Sequence, residues 1–313
     1  MRKLFCVLLS ILIALCFLTS CSDTQQESDK LSIVTTIFPL YDFARQITGG
    51  SAEVTMLLQP GMESHSYEPT PQDIIKIQKC DAFFYIGGES DEWIEDVMSS
   101  LDTDKLEIIP LIEHVELFEE KLSEGMESED AHEHSDEHEY DEHIWTSPKN
   151  AITIVNKMTD VICSVDNDNT DKYKNNSSAL ISDIEAIDKD IQQIVDSAVR
   201  KTLVFGDRFP FRYLTEQYGL DYYAAFPGCS SQTEPSASTV AFLIDTVKKN
   251  NIPVVFYTEF SDMKMAETIC ESTGAKKALL HSCHNVTKDD FNNGVTYVEL
   301  MKKNVGALRE ALN

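Results

Sequence analysis

The sequence predicts an α/β protein of two lobes, each a parallel-rich sheet with helices on its faces, bridged by one long rigid helix with a cleft between the lobes. Three observations carry this expectation. Short apolar, β-branched runs alternate with segments of helical spacing, the pattern of a parallel sheet covered on both sides. One long amphipathic stripe interrupts the alternation at mid-chain, and the alternation then resumes. At 313 residues, 42% hydrophobic and 25% charged, the chain has the material for two cores and is too apolar to be mostly disordered.

The first lobe is expected over 31–172. Residues 31–36 read as a short buried strand, and Phe38, Tyr41, Ala44 and Ile47 give the next segment one apolar helical face, stopped at Gly49-Gly50. A second strand at 54–58 ends on Gln59-Pro60-Gly61. Thr70-Pro71-Gln72-Asp73 offers an N-cap, a proline in the first turn and an early acid, and so opens a helix through Ile74 and Ile77. Strands follow at 82–86, closed by Gly87-Gly88, and at 106–109, and Ser147-Pro148 starts a helix that runs to 162.

The pattern collapses over 115–142. From Glu116 to Glu142 there are 13 acidic residues against one Lys, with His132, His134 and His138 interleaved. Such a stretch cannot bury itself and reads as a mobile loop, and the carboxylate–histidine alternation has the composition of a weak, multidentate metal trap. Residues 165–177 are a solvated connection. Leu180, Ile184, Ile187, Ile191, Ile194 and Val195 then recur at steps of three and four and define the bridging helix, 173–198.

The second lobe, 199–313, repeats the rhythm. Strands are expected at 202–205, 220–224, 253–257 and 278–280, and helices at 211–218, 236–248, 263–272 and 296–312. A cleft between two such lobes is the expected place for a ligand.

Residues 1–20 have a basic start, an apolar run over 4–18 and small residues before Cys21, the layout of an export signal too short to span a bilayer. Leu18-Thr19-Ser20-Cys21 resembles the bacterial lipobox, which makes Cys21 the lipidated first residue and 21–30 a polar tether. The net charge is −27, and −29 once 1–20 are set aside. That excess of acid weighs against nucleic acid or an anionic bilayer as the main partner and favours cations. Five cysteines remain after the signal and Cys21, an odd number, so at least one is free, metal-bound or paired between molecules. Cys229 and Cys283 both follow apolar runs in polar loops and are the best-placed pair for a disulfide.

Three histidines stand at strand or loop ends: His65 in the loop after the second strand, His143 before Ile144-Trp145-Thr146-Ser147-Pro148, and His281 after Ala278-Leu279-Leu280. Convergence from strand ends is how open α/β sheets build sites, and imidazole suits zinc. No HExxH helix, nucleophile elbow or glycine-rich nucleotide loop occurs, so the sequence does not read as an enzyme.

On these segments the chain resembles the zinc/manganese-type substrate-binding lipoproteins of bacterial ABC importers. The similarity runs through Thr35-Thr36-Ile37-Phe38-Pro39-Leu40, residues 61–72, Asp141-Glu142-His143-Ile144-Trp145-Thr146-Ser147-Pro148-Lys149, Gly206-Asp207-Arg208-Phe209, Thr233-Glu234-Pro235-Ser236 and 271–277. The resemblance implies a single divalent ion in the interlobe cleft, an acidic histidine-rich insertion of the zinc-receptor branch at 115–142, and ligands at His65 and His143. A third family histidine stands in a Phe-His-Asp-type segment where this chain reads Val204-Phe205-Gly206-Asp207, so the resemblance places a gap at Gly206. The fourth position, usually an acid after the last apolar strand, falls on His281, with Cys283 and His284 close by.

Water or a carboxylate from Glu63, Asp207 or Glu234 could complete the set; His284 could swing in; or the cleft could be degraded and bind weakly. The expected function is an extracytoplasmic Zn²⁺ receptor, a monomer held by its lipid anchor on the membrane's outer face, on a Gram-positive cell surface, passing the ion to an ABC permease. The rival expectations are a Mn²⁺ receptor, or a surface adhesion lipoprotein with a vestigial cleft.

Overall fold

The structure, a computed structural model, describes residues 30–63, 67–99, 106–127, 140–230 and 235–313. The expectations for the signal 1–20, Cys21, most of the tether, His65, His132, His134, His138 and Glu234 fall outside these residues. Residues Leu31–Asn313 form one compact unit.

Two four-stranded parallel sheets organise it. The first has the order β2-β1-β3-β4, from β1 (Leu31–Thr35), β2 (Ala52–Met56), β3 (Ala82–Tyr85) and β4 (Glu107–Pro110). The second has the order β6-β5-β7-β8, from β5 (Thr202–Phe209), β6 (Asp221–Pro227), β7 (Val254–Tyr257) and β8 (Lys276–Leu279). Strand side chains alternate between faces. Ile33, Ala82 and Phe84 therefore enter the central core, while Val34 and Phe83 pack outward against Ile77 and Ile94. In the second sheet Leu203, Phe205 and Phe256 face the central core, and Val204 and Val255 face Leu243, Ala266 and Ile269. Burial on both faces is why the central strands β3 and β7 are wholly apolar.

Helices α1 (Phe38–Thr48), α2 (Pro71–Lys79), α3 (Trp93–Met98) and α4 (Pro148–Val165) belong to the first half. Helix α2 is opened by the Thr70–Asp73 capping box, each residue bonding the other's backbone N–H, with Pro71 at the first helical position. The long helix α5 (Thr170–Asp196) follows, burying Tyr173, Leu180, Ile184, Ile187, Ile191 and Ile194. Each buried isoleucine contributes about 1.5–3 kcal/mol of hydrophobic stabilisation.

The second half adds α6 (Arg212–Tyr218), α7 (Ala237–Asn250), α8 (Lys264–Thr273), α9 (Lys288–Asn292) and α10 (Tyr297–Leu312). Helix α10 returns to the first half: the Tyr297 N–H donates to the Asp42 carboxylate at 2.8 Å, and Arg45 donates to the Gly294 and Val295 carbonyls. The halves are thus joined by α5, by α10 and by one continuous apolar core containing residues of both sheets.

Three expectations change. Most of 165–177 is not a solvated connection: α5 starts at Thr170 and buries Tyr173 and Ser177, the latter bonded to Thr159 of α4. The acidic segment is not loose along its described stem, 115–127 and 140–142. Phe118 packs its ring on Tyr213, Glu119 pairs with Tyr140 in an antiparallel bridge, and Tyr222 donates its hydroxyl to the Lys121 carbonyl at 2.7 Å. Glu127 accepts from the Ser236 N–H and the Thr239 hydroxyl at the start of α7. Apolar Phe118 and Glu127 find partners on α6 and at the start of α7 in the second half, which an acid-rich composition conceals. Strand β5 also extends to Phe209, four residues past its expected end at 205, because a bulge between Phe205 and Arg208 lets it continue.

Candidate functional site

In each sheet the chain moves outward from its first strand in both directions, so the strand order reverses between β1 and β3 and between β5 and β7. Open α/β sheets bind ligands at such switch points, beyond the carboxyl ends of the strands. Thr36, Ile37 and Ile86 follow the ends of β1 and β3 and line one cavity with Tyr67, Ser90, Asp91, Glu142, Trp145 and His284. Arg208, Pro210, Thr258 and Glu259, at the ends of β5 and β7, line a second with Met62, Glu63, His143, Gly228 and His284. His284 borders both.

His143 sits at the centre and is 1% exposed. The Asp141 carboxylate accepts its backbone N–H at 2.8 Å and lies 3.2 Å from its Nδ1. A carboxylate at Nδ1 holds the proton there and presents the Nε2 lone pair, the arrangement usual for metal-binding histidines. Tyr213 fixes this corner by donating to the Asp141 carbonyl at 2.7 Å. Burial alone would lower the His143 pKa, but Asp141, Glu142 and Glu120 outweigh it and the net direction is up. The same carboxylates that hold a proton on this ring would hold a metal cation beside it.

Trp145 makes the wall behind both imidazoles. Its ring meets His143 and His284 at centroid separations of 5.4 and 4.9 Å, and its Nε1 donates to the Ser282 carbonyl at 2.8 Å. The His143 and His284 rings are 5.5 Å apart in an edge-on arrangement. The loop after β8 carries His284 across to the first half: its carbonyl accepts the Phe38 N–H, and the Asn285 amide donates to the Gln59 and Met62 carbonyls.

Four sequence expectations are corrected here. His281 does not line either cavity. Its Nδ1 accepts the Cys283 N–H at 2.9 Å, its backbone N–H donates to Asn304, and Glu259 lies 3.6 Å from its ring. Glu259 and His284, not His281, line the second cavity. There is no gap at Gly206: a Cβ there would lie 2.7 Å from the Ala266 Cα, so the position points into α8 and away from the cleft. Asp207 is committed to structure, its carboxylate accepting from the Thr258 N–H and hydroxyl at 2.9 and 3.0 Å.

Cys229 and Cys283 are not bonded, both being free thiols. Cys283 is fully buried and donates to the His281 carbonyl, while Cys229 donates to Glu142. Burial pushes the Cys229 thiol well above its ordinary pKa, and Glu142, Asp141 and Glu120 reinforce it.

Sequence reasoning missed Arg208, Glu259 and Glu142 as residues that line these cavities. Glu259 carried a usable signal, since it follows an apolar strand as His281 does. The bulge that turns Arg208 into the cleft left none.

The sequence model of the family described as "ZnuA: Zinc-uptake complex component A periplasmic" matches residues 33–311. The chain is 34% identical over 311 residues to the zinc-binding lipoprotein AdcA of Streptococcus pneumoniae, covering 98% of this chain and 61% of that protein, so it spans about three-fifths of that relative's length. It is 31% identical to the high-affinity zinc uptake system protein ZnuA of Bacillus subtilis, covering 96% of each. The crystal structure of the Zn(II)-bound ZnuA-like domain of Streptococcus pneumoniae AdcA superposes with a TM-score of 0.75 at 31% identity, over 90% of this chain and 99% of that one.

Proposed function

The chain belongs to the zinc-uptake complex component A family, and from that premise we propose that it is a zinc-binding receptor that captures Zn²⁺ in the cleft between its two sheets and delivers it to an ABC permease. The observation that carries this reading is His143, buried on the wall of the second cavity, with Asp141 on its Nδ1 and a second imidazole, His284, 5.5 Å away that borders both cavities. His143 and His284 would be the imidazoles that face the ion, with His65 joining from the loop after β2. His281 would steady the loop that presents His284.

The protein would act outside the cytoplasmic membrane as a lipid-anchored monomer, tethered through Cys21, and would perform no catalysis. Among the described residues no helix is long and apolar enough to cross a membrane. The shared core and the two bridging helices favour a small closure on the ion over a wide hinge swing. The acidic tip of the 115–142 segment, carrying His132, His134 and His138, would raise the local zinc concentration.

Competition with a zinc chelator tests the reading on three proteins: the chain as it stands, a His65→Ala/His143→Ala double variant, and a deletion of 128–139. Tight binding should vanish in the double variant and survive the deletion. An unchanged zinc affinity in the double variant would overturn it.

A further inference from the structure

Beyond the imidazoles, a sulfur stands close to His143. Donor atoms of Glu142, His143 and Cys229 all lie within 4.8 Å of one another. In a tetrahedral zinc site with bonds of ~2.0–2.3 Å, donors stand ~3.3–3.8 Å apart, so these three need to close by only ~1 Å. The backbone is shaped to allow it. Gly228 precedes Cys229 at the end of β6, and a Cβ on Gly228 would come within 3.1 Å of His143 Cε1 and 3.0 Å of the Phe209 carbonyl. Without a side chain there, the strand end brings Cys229 up against the imidazole. The Gly228 N–H is held by the Glu120 carboxylate at 3.0 Å. Glu142 is positioned from the other half, where the Ser90 N–H and hydroxyl both donate to its carboxylate. Cys229 is half-buried rather than sealed, and its Sγ already points at Glu142, 3.7 Å from Oε1.

We propose that Cys229 supplies a thiolate ligand to the cleft ion, and that with His143 and Glu142 it forms a nitrogen–sulfur–oxygen zinc site that selects against hard cations. This rests on the receptor reading above and names the chemistry of its site. As the sulfur–metal bond forms, the thiol proton leaves to solvent and the thiolate takes the place of hydrogen-bonded S–H, so no oxidant or reductant is required. Thiolate is a soft donor that suits Zn²⁺ and is poorly matched to Mn²⁺, Mg²⁺ or Ca²⁺. The Arg208 guanidinium, held on the Ser230 carbonyl beside Cys229, adds a positive charge that any bound cation has to overcome.

Cobalt(II) titration tests this, because a cobalt–thiolate bond gives an intense near-ultraviolet charge-transfer band that nitrogen and oxygen ligands do not. The wild-type chain should show that band, Cys229→Ser should lose it, and Cys270→Ser should keep it. Zinc affinity of Cys229→Ser should fall ~10–100-fold while Mn²⁺ affinity changes far less, narrowing the zinc-to-manganese preference. Thermal unfolding in chelator confirms that the serine variant is folded, and Cys229→Ala serves if it is not. Tight cobalt binding without a sulfur band, or a band that survives in both Cys229 variants, overturns the thiolate site and leaves the receptor reading intact. No tight cobalt or zinc binding by the wild-type chain overturns both.

Discussion

The Arg208 guanidinium lies 3.3 Å from the Glu63 carboxylate, an ion pair that crosses the cleft from the second sheet to the loop that follows the first sheet's β2. Arg208 also donates to the Ser230 carbonyl, next to Cys229. A fixed positive charge therefore stands on the wall of a site rich in carboxylates, and Glu63 partly neutralises it. Both side chains are solvent-accessible, so the pair adds little to fold stability, on the order of 0.5 kcal/mol. Its consequence lies in how strongly the cleft attracts a second cation.

Arg208→Gln should raise zinc affinity about 3–10-fold at low ionic strength, since removing a unit charge a few ångströms from the ion is worth about 1 kcal/mol in partly screened surroundings. Glu63→Gln should lower it by a similar factor. Both effects should shrink near ~1 M salt, where the Debye length falls to ~3 Å. Calorimetry at two salt concentrations reads this directly, and identical affinities for all three proteins would show that the pair does not act on the ion.

Gly206→Ala should destabilise the fold by about 1–3 kcal/mol through overpacking against the Ala266 backbone, lowering the unfolding temperature by ~2–8 °C. A histidine placed there should destabilise further and leave zinc affinity no higher, because the position faces α8. Calorimetric unfolding in chelator checks both variants, and a Gly206→His protein that gains affinity would return this position to the cleft.

How much was legible follows from where the signal lay. Helix α5 was readable because Leu180, Ile184, Ile187, Ile191 and Ile194 keep one period over its length, and the parallel sheets because β1 and β3 bury both faces. The short helices α3, six residues, and α9, five residues, escaped because neither spans two turns of pattern. His143 drew notice in the sequence from its place before a helix, and in the structure it lines the second cavity. Arg208 was not, because one extra residue in β5 shifts every later side chain to the other face, a register effect that the bare order of residues does not display. Glu142 and Cys229 meet across 87 positions of sequence, and only the packing of β6 against the first half brings them together.

Asp91 supplies a pH-dependent prediction. Burial raises its pKa to about 7, with the nearby Glu142 carboxylate adding to the effect against hydrogen bonds from the Gly87 and Ile86 N–H groups. A folded-state pKa above the unfolded value means the stabilisation is fully present below about pH 4 and is lost as pH rises through about 7. Asp91→Asn keeps an acceptor for both N–H groups without the buried charge. In chelator, the variant should therefore gain on the wild type by on the order of 2 kcal/mol between pH 4 and pH 8. Denaturant unfolding at both pH values measures the difference, and parallel pH profiles would show that Asp91 ionises as freely in the fold as in the unfolded chain.

The stem of the acidic segment gives the remaining prediction, because its docking separates a structural role from a metal-gathering one. Glu127 accepts from the Ser236 N–H at 2.7 Å and from the Thr239 hydroxyl, acting from outside the helix as a cap on the first turn of α7. These hydrogen bonds lower the Glu127 pKa, and an anion is favoured at that helix end. Glu127→Ala should cost about 1 kcal/mol of stability at neutral pH. The loss should shrink in acid, where the wild-type carboxylate is protonated and no longer an anion at the helix end. Deleting 128–139 removes His132, His134 and His138 but leaves Glu127 and the Glu119–Tyr140 bridge in place. It should hold the unfolding temperature and the tight zinc constant, and abolish only weak, additional zinc equivalents. A deletion that unfolds several degrees early would mean that the tip itself braces the stem, and one that loses the tight event would move the zinc site out of the cleft and onto the tip.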